Sequence, residues 1–237
     1  MSPEVSSTFF WAGTVIMTLG TVGFLYIRAS DPDNGAFHTV ITGVGAVAAL
    51  AYLSMALNIG FVQVGTESVY LGRYLQWILG TPLIVLYLGM LADADGTPLG
   101  ALIAIDVLAM LTAAGAAVTT GTARWAMFAV GMVLYAILLY GLLRTLDSAA
   151  MAQSSPVGAL FRKLRNLTVV TWSFYPIAWL AGPLGLGIID PFAEVLLVTY
   201  LDIAAKIGFG YIAANSKIAL DRMPRTDSLR AWREVVA

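Results

Sequence analysis

The chain has 237 residues, of which 59% are hydrophobic and only 11% are charged, and its formal net charge is −1. Soluble domains carry about 25% charged residues, so the composition excludes an ordinary soluble protein and indicates a membrane protein. The small net charge excludes nucleic-acid binding through bulk positive charge, and a sequence without cysteine can form neither disulfides nor thiolate metal sites.

Seven apolar segments follow one another along the chain, each about long enough to cross a bilayer. They predict an all-α membrane protein, a bundle of seven transmembrane helices at residues 9–27, 39–57, 73–91, 99–118, 123–146, 160–181 and 191–215. The first segment lacks the basic start of a signal peptide, so we expect it to be retained. The loop after the second helix contains two short runs, 62–64 and 69–70, that can pair as a hairpin. Asp147 to Pro156 is predicted to be the longest polar loop, and 217–237 a polar tail.

The positive charges predict the orientation of the bundle. With seven spans, ten of the 13 Lys and Arg residues fall on the side that also holds the C-terminus. The positive-inside rule then places the N-terminus outside and the C-terminus in the cytoplasm, in the cell membrane. The single histidine, His38, lies near the cytoplasmic start of the second helix, where we expect it to be solvated. The ten residues are Arg28, Arg144, Arg162, Lys163, Arg165, Lys217, Arg222, Arg225, Arg230 and Arg233.

Two opposite charges, Asp202 and Lys206, lie one turn apart in the otherwise apolar seventh helix. Their spacing puts both side chains on one face, and charges in a membrane require a reason. One interpretation is an ion pair that only fixes helix packing. The other is chemical, because a lysine amine in an apolar pocket can condense with an aldehyde as a Schiff base. The nearby carboxylate would then balance the positive charge of that Schiff base.

Polar and aromatic rows on two other helices extend this pattern. Arg73, Trp77 and Thr81 recur at four-residue steps in the third helix, with Gln76 in the adjacent row. The sixth helix carries an aromatic stripe that could be ordinary packing. Together the two rows favour the walls of a slot for a flat, conjugated ligand. The members of the stripe are Trp172, Tyr175, Pro176 and Trp179.

Three motifs resemble the microbial rhodopsins of haloarchaea: Leu201-Asp202-Ile-x-Ala-Lys206-Ile-Gly-Phe-Gly210, Arg73-Tyr74-x-x-Trp77 with Thr81-Pro82, and Arg165-Asn166-Leu-Thr168 through Tyr175-Pro176. The resemblance, which runs from about residue 8 to 215, implies all-trans retinal on Lys206 as a protonated Schiff base with Asp202 as counterion. It implies a photoreceptor without catalytic or metal-binding residues, not an enzyme. The further cofactor-binding residues that it implies are Tyr52, Arg73, Gln76, Trp77, Thr81, Asp106, Ala109, Phe128, Gly131, Trp172, Tyr175 and Trp179.

Departures from the light-driven proton pumps of this family bear on function. The pumps have an aspartate proton acceptor where this chain has Gln76, and an aspartate donor where it has Tyr87. Glutamine cannot accept a proton. Leu184 replaces one of two outer glutamates, and Glu194 matches the other. The haloarchaeal chloride pumps hold their anion with Thr and Ser in a turn that this chain does not match.

The residue pattern is most similar to sensory rhodopsin II and middle rhodopsin, which share the aromatic at 87, Phe128, Gly131 and Tyr200. This similarity implies that light isomerises retinal on Lys206, that the sixth helix tilts, and that a signal of the phototaxis type results. Tyr200 matches a contact to a two-helix transducer. Ala205 and Gln76 depart from the sensory pattern, since the sensory relatives have a threonine and an aspartate at these positions.

Two alternatives stay open. The first is a light-driven ion transporter, a residual pump or channel, with chloride or another anion near Gln76 and Arg73. The second is a helical membrane protein without a chromophore. The other partners expected are membrane lipid and further copies of the chain in a homo-oligomer.

Overall fold

A computed structural model of the protein describes residues 3–223, with side chains from residue 7 onward. A 3-10 turn, Pro32–Asn34, joins the first two helices, and wider π turns interrupt the fifth helix at Gly141–Thr145 and the seventh at Ile203–Gly208. In chain order the helices are α1 Pro3–Ser30, α2 Gly35–Ala56, α3 Leu71–Ala92, α4 Gly96–Val118, α5 Gly121–Met151, α6 Ser155–Ala181, α7 Pro191–Ala214 and the short α8 Lys217–Leu220.

The predicted seven-helix membrane bundle is confirmed by the arrangement of α1 to α7. Six of them are long and apolar enough to cross a membrane, by length and composition, within the described residues. The seventh, α6, is not among these six, and its first three turns carry three basic residues: Arg162, Lys163 and Arg165. Its later turns pack in the bundle, with Trp172 and Trp179 buried.

The fifth helix differs from the prediction at its end. Residues 147–151 were expected to begin a loop, but α5 continues through its π turn to Met151. Leu146 and Ala150 are fully buried on one face of this extension, while Asp147 on another face pairs with Arg165 of α6. The polar residues that suggested a loop therefore form the outer face of a helix. The sixth helix likewise begins early, at Ser155, with Pro156 in its first turn, where proline is well tolerated.

A two-stranded hairpin closes one end of the bundle, as the sequence predicts. Strands β1 Phe61–Val64 and β2 Glu67–Tyr70 pair antiparallel, with Val62 opposite Val69. Gly65 turns the chain between them with a φ of +65°, a conformation that glycine adopts without strain. The buried Val69 packs against aromatic residues of α3, so the hairpin covers the interior from that end.

The opposite end carries the α1–α2, α3–α4 and α5–α6 connections and α8. We call it the basic end, because Arg28, Arg144, Arg162, Lys163, Arg165, Lys217 and Arg222 lie there. The residues that begin the predicted polar tail form α8, which buries Ala219 and Leu220 against the core. The rest of that predicted tail, 224–237, lies outside the described residues.

Candidate functional site

Asp202 and Lys206 lie at the centre of the bundle. Their side chains are only 1% and 3% exposed, and Lys206 Nζ contacts Asp202 Oδ1 in an ion pair. Lys206 belongs to the π turn Ile203–Gly208, a local widening that is frequent at functional sites. Removing either partner would leave an uncompensated buried charge, so each stabilises the other.

Four further side chains donate hydrogen bonds to Asp202 from three other helices. Tyr52 Oη of α2 and Gln76 Nε2 of α3 lie 2.8 and 2.7 Å from Asp202 Oδ2. Tyr175 Oη of α6 lies 2.7 Å from Asp202 Oδ1, and Trp77 Nε1 of α3 lies 3.4 Å from the same oxygen. An acceptor surrounded by donors on both oxygens must be the ionised carboxylate.

Gln76, which the resemblance places at the position of the pumps' proton acceptor, is fully buried. Its amide nitrogen donates to Asp202, while its Oε1 has no hydrogen-bond partner among the described residues. The reverse orientation would oppose two oxygens, so the contact itself assigns the amide. The glutamine stabilises the charge of Asp202 and carries no group that takes up a proton.

An apolar cavity extends from Lys206 toward α4 and α5 and encloses about 790 Å³, including its open mouth. Nine of the predicted cofactor-binding residues border it. Trp77 meets Tyr175 edge-on at 5.2 Å between ring centroids, and Phe128 stacks on Trp179 at 4.8 Å. The nine are Trp77, Thr81, Ala109, Phe128, Gly131, Trp172, Tyr175, Trp179 and Lys206.

Sequence reasoning missed several residues that line this cavity. Helical periodicity could have found most of them, since 109, 113 and 116 share one face of α4 and 128, 132 and 135 share one face of α5. The end of the cavity between α4 and α5 is thus wider and more apolar than the aromatic motifs alone indicate. The missed residues are Met110, Ala113, Ala116, Met132 and Tyr135.

Asp106 and Thr81 form a second, separate buried pair beside the cavity. Thr81 Oγ1 lies 2.7 Å from both Asp106 Oδ2 and the Trp77 carbonyl oxygen. One hydroxyl hydrogen cannot serve both acceptors, so a proton on Asp106 would complete the network. Its other oxygen has no partner within the described part of the chain, which also suits a neutral carboxyl. A protonated Asp106 therefore fits this geometry.

Three residues that the sequence analysis singles out neither bond to Asp202 nor line the cavity. Arg73 Nη1 is 3.9 Å from Glu194 Oε1, toward the hairpin end of the bundle. Tyr200 is 69% exposed on the outer face of α7. Tyr87 is buried toward the basic end, with its ring edge-on to Phe37 and Phe209, and its hydroxyl lacks a partner within residues 7–223. This phenol therefore has no acceptor in place for a proton.

A second polar cluster lies at the basic end, and sequence reasoning missed it. His38 is fully buried, and the prediction that it is solvated was wrong, because α2 begins at Gly35 and places His38 inside the helix. His38 Nε2 is 3.1 Å from Asp31 Oδ2. Asn34 Nδ2 donates to Asp31 Oδ2 and to Asp221 Oδ1, each at 2.9 Å, which ties the α1–α2 connection to the segment after α7.

Lys217 completes this cluster. Its Nζ lies 2.9 Å from Asp221 Oδ1 and 3.3 Å from Asp31 Oδ1. Partial burial acts to raise the pKa of Asp31, but hydrogen bonds from Asn34, His38 and Lys217 outweigh it and leave that pKa below its usual value. Hydrogen bonds lower the pKa of Asp221 and raise that of Lys217 in the same way.

Known proteins resemble this chain over nearly its whole length. The sensory rhodopsin-2 of Natronomonas pharaonis is 38% identical over 215 residues, 90% of either chain. The sensory rhodopsin-2 of Halobacterium salinarum is 41% identical over 94% of this chain and 93% of its own. The bacteriorhodopsin-II-like protein of Haloquadratum walsbyi is 38% identical over 92% of this chain and 93% of its own.

A solved structure agrees with these sequence matches. The crystal structure of thermophilic rhodopsin from Rubrobacter xylanophilus has a TM-score of 0.89 and 34% identity, covering 92% of this chain and 98% of that one. Residues 4–220 match the family described as bacteriorhodopsin-like protein. With that match and relatives more than 30% identical over most of the chain, this protein belongs to the bacteriorhodopsin-like family.

Proposed function

We propose that the chain is a retinal photoreceptor of the sensory type, in which Lys206 carries the chromophore and Asp202 is its counterion. Proteins of this family bind retinal through a Schiff base to a lysine, and they are in general not enzymes. Lys206 suits this role because its amine is buried at the cavity wall, next to a carboxylate. As a member of the family, with several apolar spans, the protein is a multi-pass plasma-membrane protein.

The residues around Lys206 fit retinal in shape and charge. Retinal, when bound, supplies the absorption of visible light and a double bond that isomerises. Trp77, Trp172 and Trp179 form the walls that would confine a flat polyene and exclude water. Asp202, held by Tyr52 and Gln76 among its donors, would balance the positive charge at Lys206.

The contact between Gln76 and Asp202 carries the choice of a sensor over a proton pump. In place of a second carboxylate, α3 offers Asp202 an amide donor, 2.7 Å away. A proton that leaves Lys206 therefore meets one carboxylate that is already bonded by four other side chains. Tyr87 adds no donor path from the basic end, since its hydroxyl has no hydrogen-bond partner among the described residues.

The output that the geometry favours is a movement of α6. Trp172 and Pro176 both border the cavity, so pressure from inside would act on this helix. Pro176 lies within α6 and removes one backbone hydrogen bond, which makes a bend there less costly. The positive charges favour an orientation with the N-terminus outside and the basic end in the cytoplasm. In that orientation the movement of α6 would open the bundle on its cytoplasmic side.

A membrane partner is part of the proposal. Two of the relatives are sensory rhodopsin-2 proteins, and Tyr200 projects from α7 where a two-helix transducer could contact it. Ala205, beside the attachment lysine, is buried and has no hydroxyl that could link the chromophore to Tyr200 by a hydrogen bond. Any coupling would therefore pass through helix movement.

A light-driven ion transporter is the second candidate. Arg73 and Glu194 place two charged groups between the cavity and the hairpin end, and the buried Gln76 Oε1 has an unused acceptor position. The Arg73 guanidinium could hold chloride or another anion near Gln76. An anion site between the cavity and the hairpin end is a feature that an ion pump or channel could use.

Flash photolysis of the retinal-loaded protein in sealed vesicles, with a pH-sensitive dye, tests the choice. We expect a light-induced change of the visible band without a sustained change of pH. A steady light-driven pH change or photocurrent, lost in Lys206→Ala vesicles, would reject the sensor in favour of a transporter. A protein that stays colourless with retinal would reject both.

A further inference from the structure

Residues of α5 and α6 line the cavity, and beside it a side-chain hydrogen bond joins these two helices. Tyr135 of α5 lines the cavity, and its Oη lies 2.9 Å from Ser173 Oγ of α6. Neither side chain bonds to Asp202, and neither residue is among the cofactor-binding residues that the resemblance implies. The second polar link between the same helices joins Arg165 to Asp147 at the basic end, where both side chains are partly exposed.

The direction of this hydrogen bond follows from a third contact. Ser173 Oγ also lies 2.7 Å from the Val169 carbonyl oxygen, four residues earlier in α6. A carbonyl can only accept, so the single serine hydrogen goes to Val169. Tyr135 must then donate to Ser173, and loss of its hydroxyl leaves the serine oxygen without that donor.

Ser173 lies where α6 lacks a backbone hydrogen bond. Pro176 has no N–H, so the carbonyl of Trp172 loses its regular helical partner one turn before the proline. The serine bond back to Val169 is of a kind that tends to bend helices further. Tyr135 of α5 therefore contacts α6 immediately beside its hinge.

We propose that Tyr135 is a positioning residue, whose hydrogen bond to Ser173 tethers the hinge of α6 to α5 in the dark and must break or lengthen when α6 moves. This inference rests on the proposed movement of α6. The side chain does not act on the chromophore's bonds. It sets how readily the helix leaves its resting position.

Tyr135→Phe removes only the hydroxyl and Ser173→Ala removes its partner. The net contribution of one neutral hydrogen bond corresponds to roughly 2- to 13-fold in an equilibrium constant. We expect each variant to increase the ratio of moved to resting α6 in the light by about that factor, with the double variant no larger than either. Ser173→Thr keeps the hydroxyl and should restore wild-type behaviour. Tyr140→Phe, on the exposed face of the same helix, is the matched control.

The measurement uses spin labels, which the cysteine-free sequence makes simple. Spin labels attached to Asp95→Cys and Lys163→Cys, both at exposed positions of the basic end, report the distance from the α3–α4 connection to α6 in dark and light. Wild-type movement that Tyr135→Phe and Ser173→Ala leave unchanged would overturn the tether alone. Absence of movement in the wild-type protein would overturn the tether together with the proposed output.

Discussion

Two carboxylates in this protein collect the same kinds of donors in different surroundings. Asp202 binds a lysine, an amide and two phenols at the centre of the bundle, while Asp31 binds a lysine, an amide and an imidazole at the basic end. The lysine at the centre is 3% exposed, and the lysine at the basic end is 61% exposed. Water screens the charges of the cluster at the basic end, whose ion pairs hold chain segments together. The carboxylate of the central cluster is shielded from water, so it can balance the positive charge of a chromophore.

Exchanging the two lysines for alanine should give the largest difference between these clusters. Lys206→Ala removes the attachment amine and leaves Asp202 as an unpaired buried charge, which costs about 3–5 kcal/mol. We expect loss of the visible band on adding retinal and a lower unfolding temperature. Lys217→Ala should keep both the colour and nearly all of the stability.

Borohydride reduction of the retinal-loaded protein, followed by peptide mapping, identifies the modified lysine. Retinal on Lys163 or Lys217 would contradict the assignment of the site. Colour that survives in Lys206→Ala would contradict it equally.

Replacing the two amides with carboxylates tests whether burial decides the chemistry. Gln76→Asp places a second carboxylate beside Asp202, where two close carboxylates cannot both stay ionised without strong repulsion. The added group can accept a proton, so we expect a transient light-induced proton signal about tenfold or more above that of the wild type. Asn34→Asp should change no photochemistry, because it lies far from the cavity at the basic end.

A pH-sensitive dye during flash photolysis reports this signal. Gln63→Asp in the exposed hairpin controls for the added charge. A Gln76→Asp protein with no proton signal would mean that the amide is not what separates this chain from the pumps.

The central cluster could be predicted from sequence, and the cluster at the basic end could not. Lys206 and Asp202 are conspicuous because charges are costly in an apolar helix, and their fixed spacing already places them on one face. Asp31, Asn34 and Asp221 are ordinary residues for a turn or a chain end, and two of them meet across 187 positions of sequence. Composition carries no signal for such a contact.

Helix ends show the same limit. The extension of α5 to Met151 depends on Leu146 and Ala150 reaching the core, which a local polar count cannot reveal. The position of His38 depends in turn on where α2 begins. The apolar pattern predicts which segments form helices more reliably than where those helices end.

Removing one ring donor from each carboxylate should give a smaller, graded difference. Tyr52→Phe takes a hydrogen bond from a charge that water cannot reach, at a cost of about 1–3 kcal/mol. His38→Phe takes one from Asp31, whose partial exposure allows water to replace it, so we expect a cost below about 1 kcal/mol. Thermal bleaching of the visible band measures both, with the exposed Tyr211→Phe as control. Equal losses would show that burial does not separate the clusters.

The smallest expected effect is the response of the basic end to pH. The lowered pKa of Asp31 and of Asp221 means that these carboxylates contribute stability above their unfolded value of about 3.9, and lose it as pH falls through the lower folded values. The raised pKa of Lys217 means that its contribution is present below about pH 10.4 and is lost as pH rises further. The protection of the amides of residues 217–223 against hydrogen exchange, corrected for the pH dependence of intrinsic exchange, should therefore be greatest between about pH 5 and 9 and should decrease on both sides. High salt should flatten both limbs, because exposed pairs are screened, and Asp31→Asn should weaken both limbs only in part, because Asp221 still pairs with Lys217. Protection that stays constant down to pH 3 would mean that apolar packing of Leu220, and not the ion pairs, holds this segment in place.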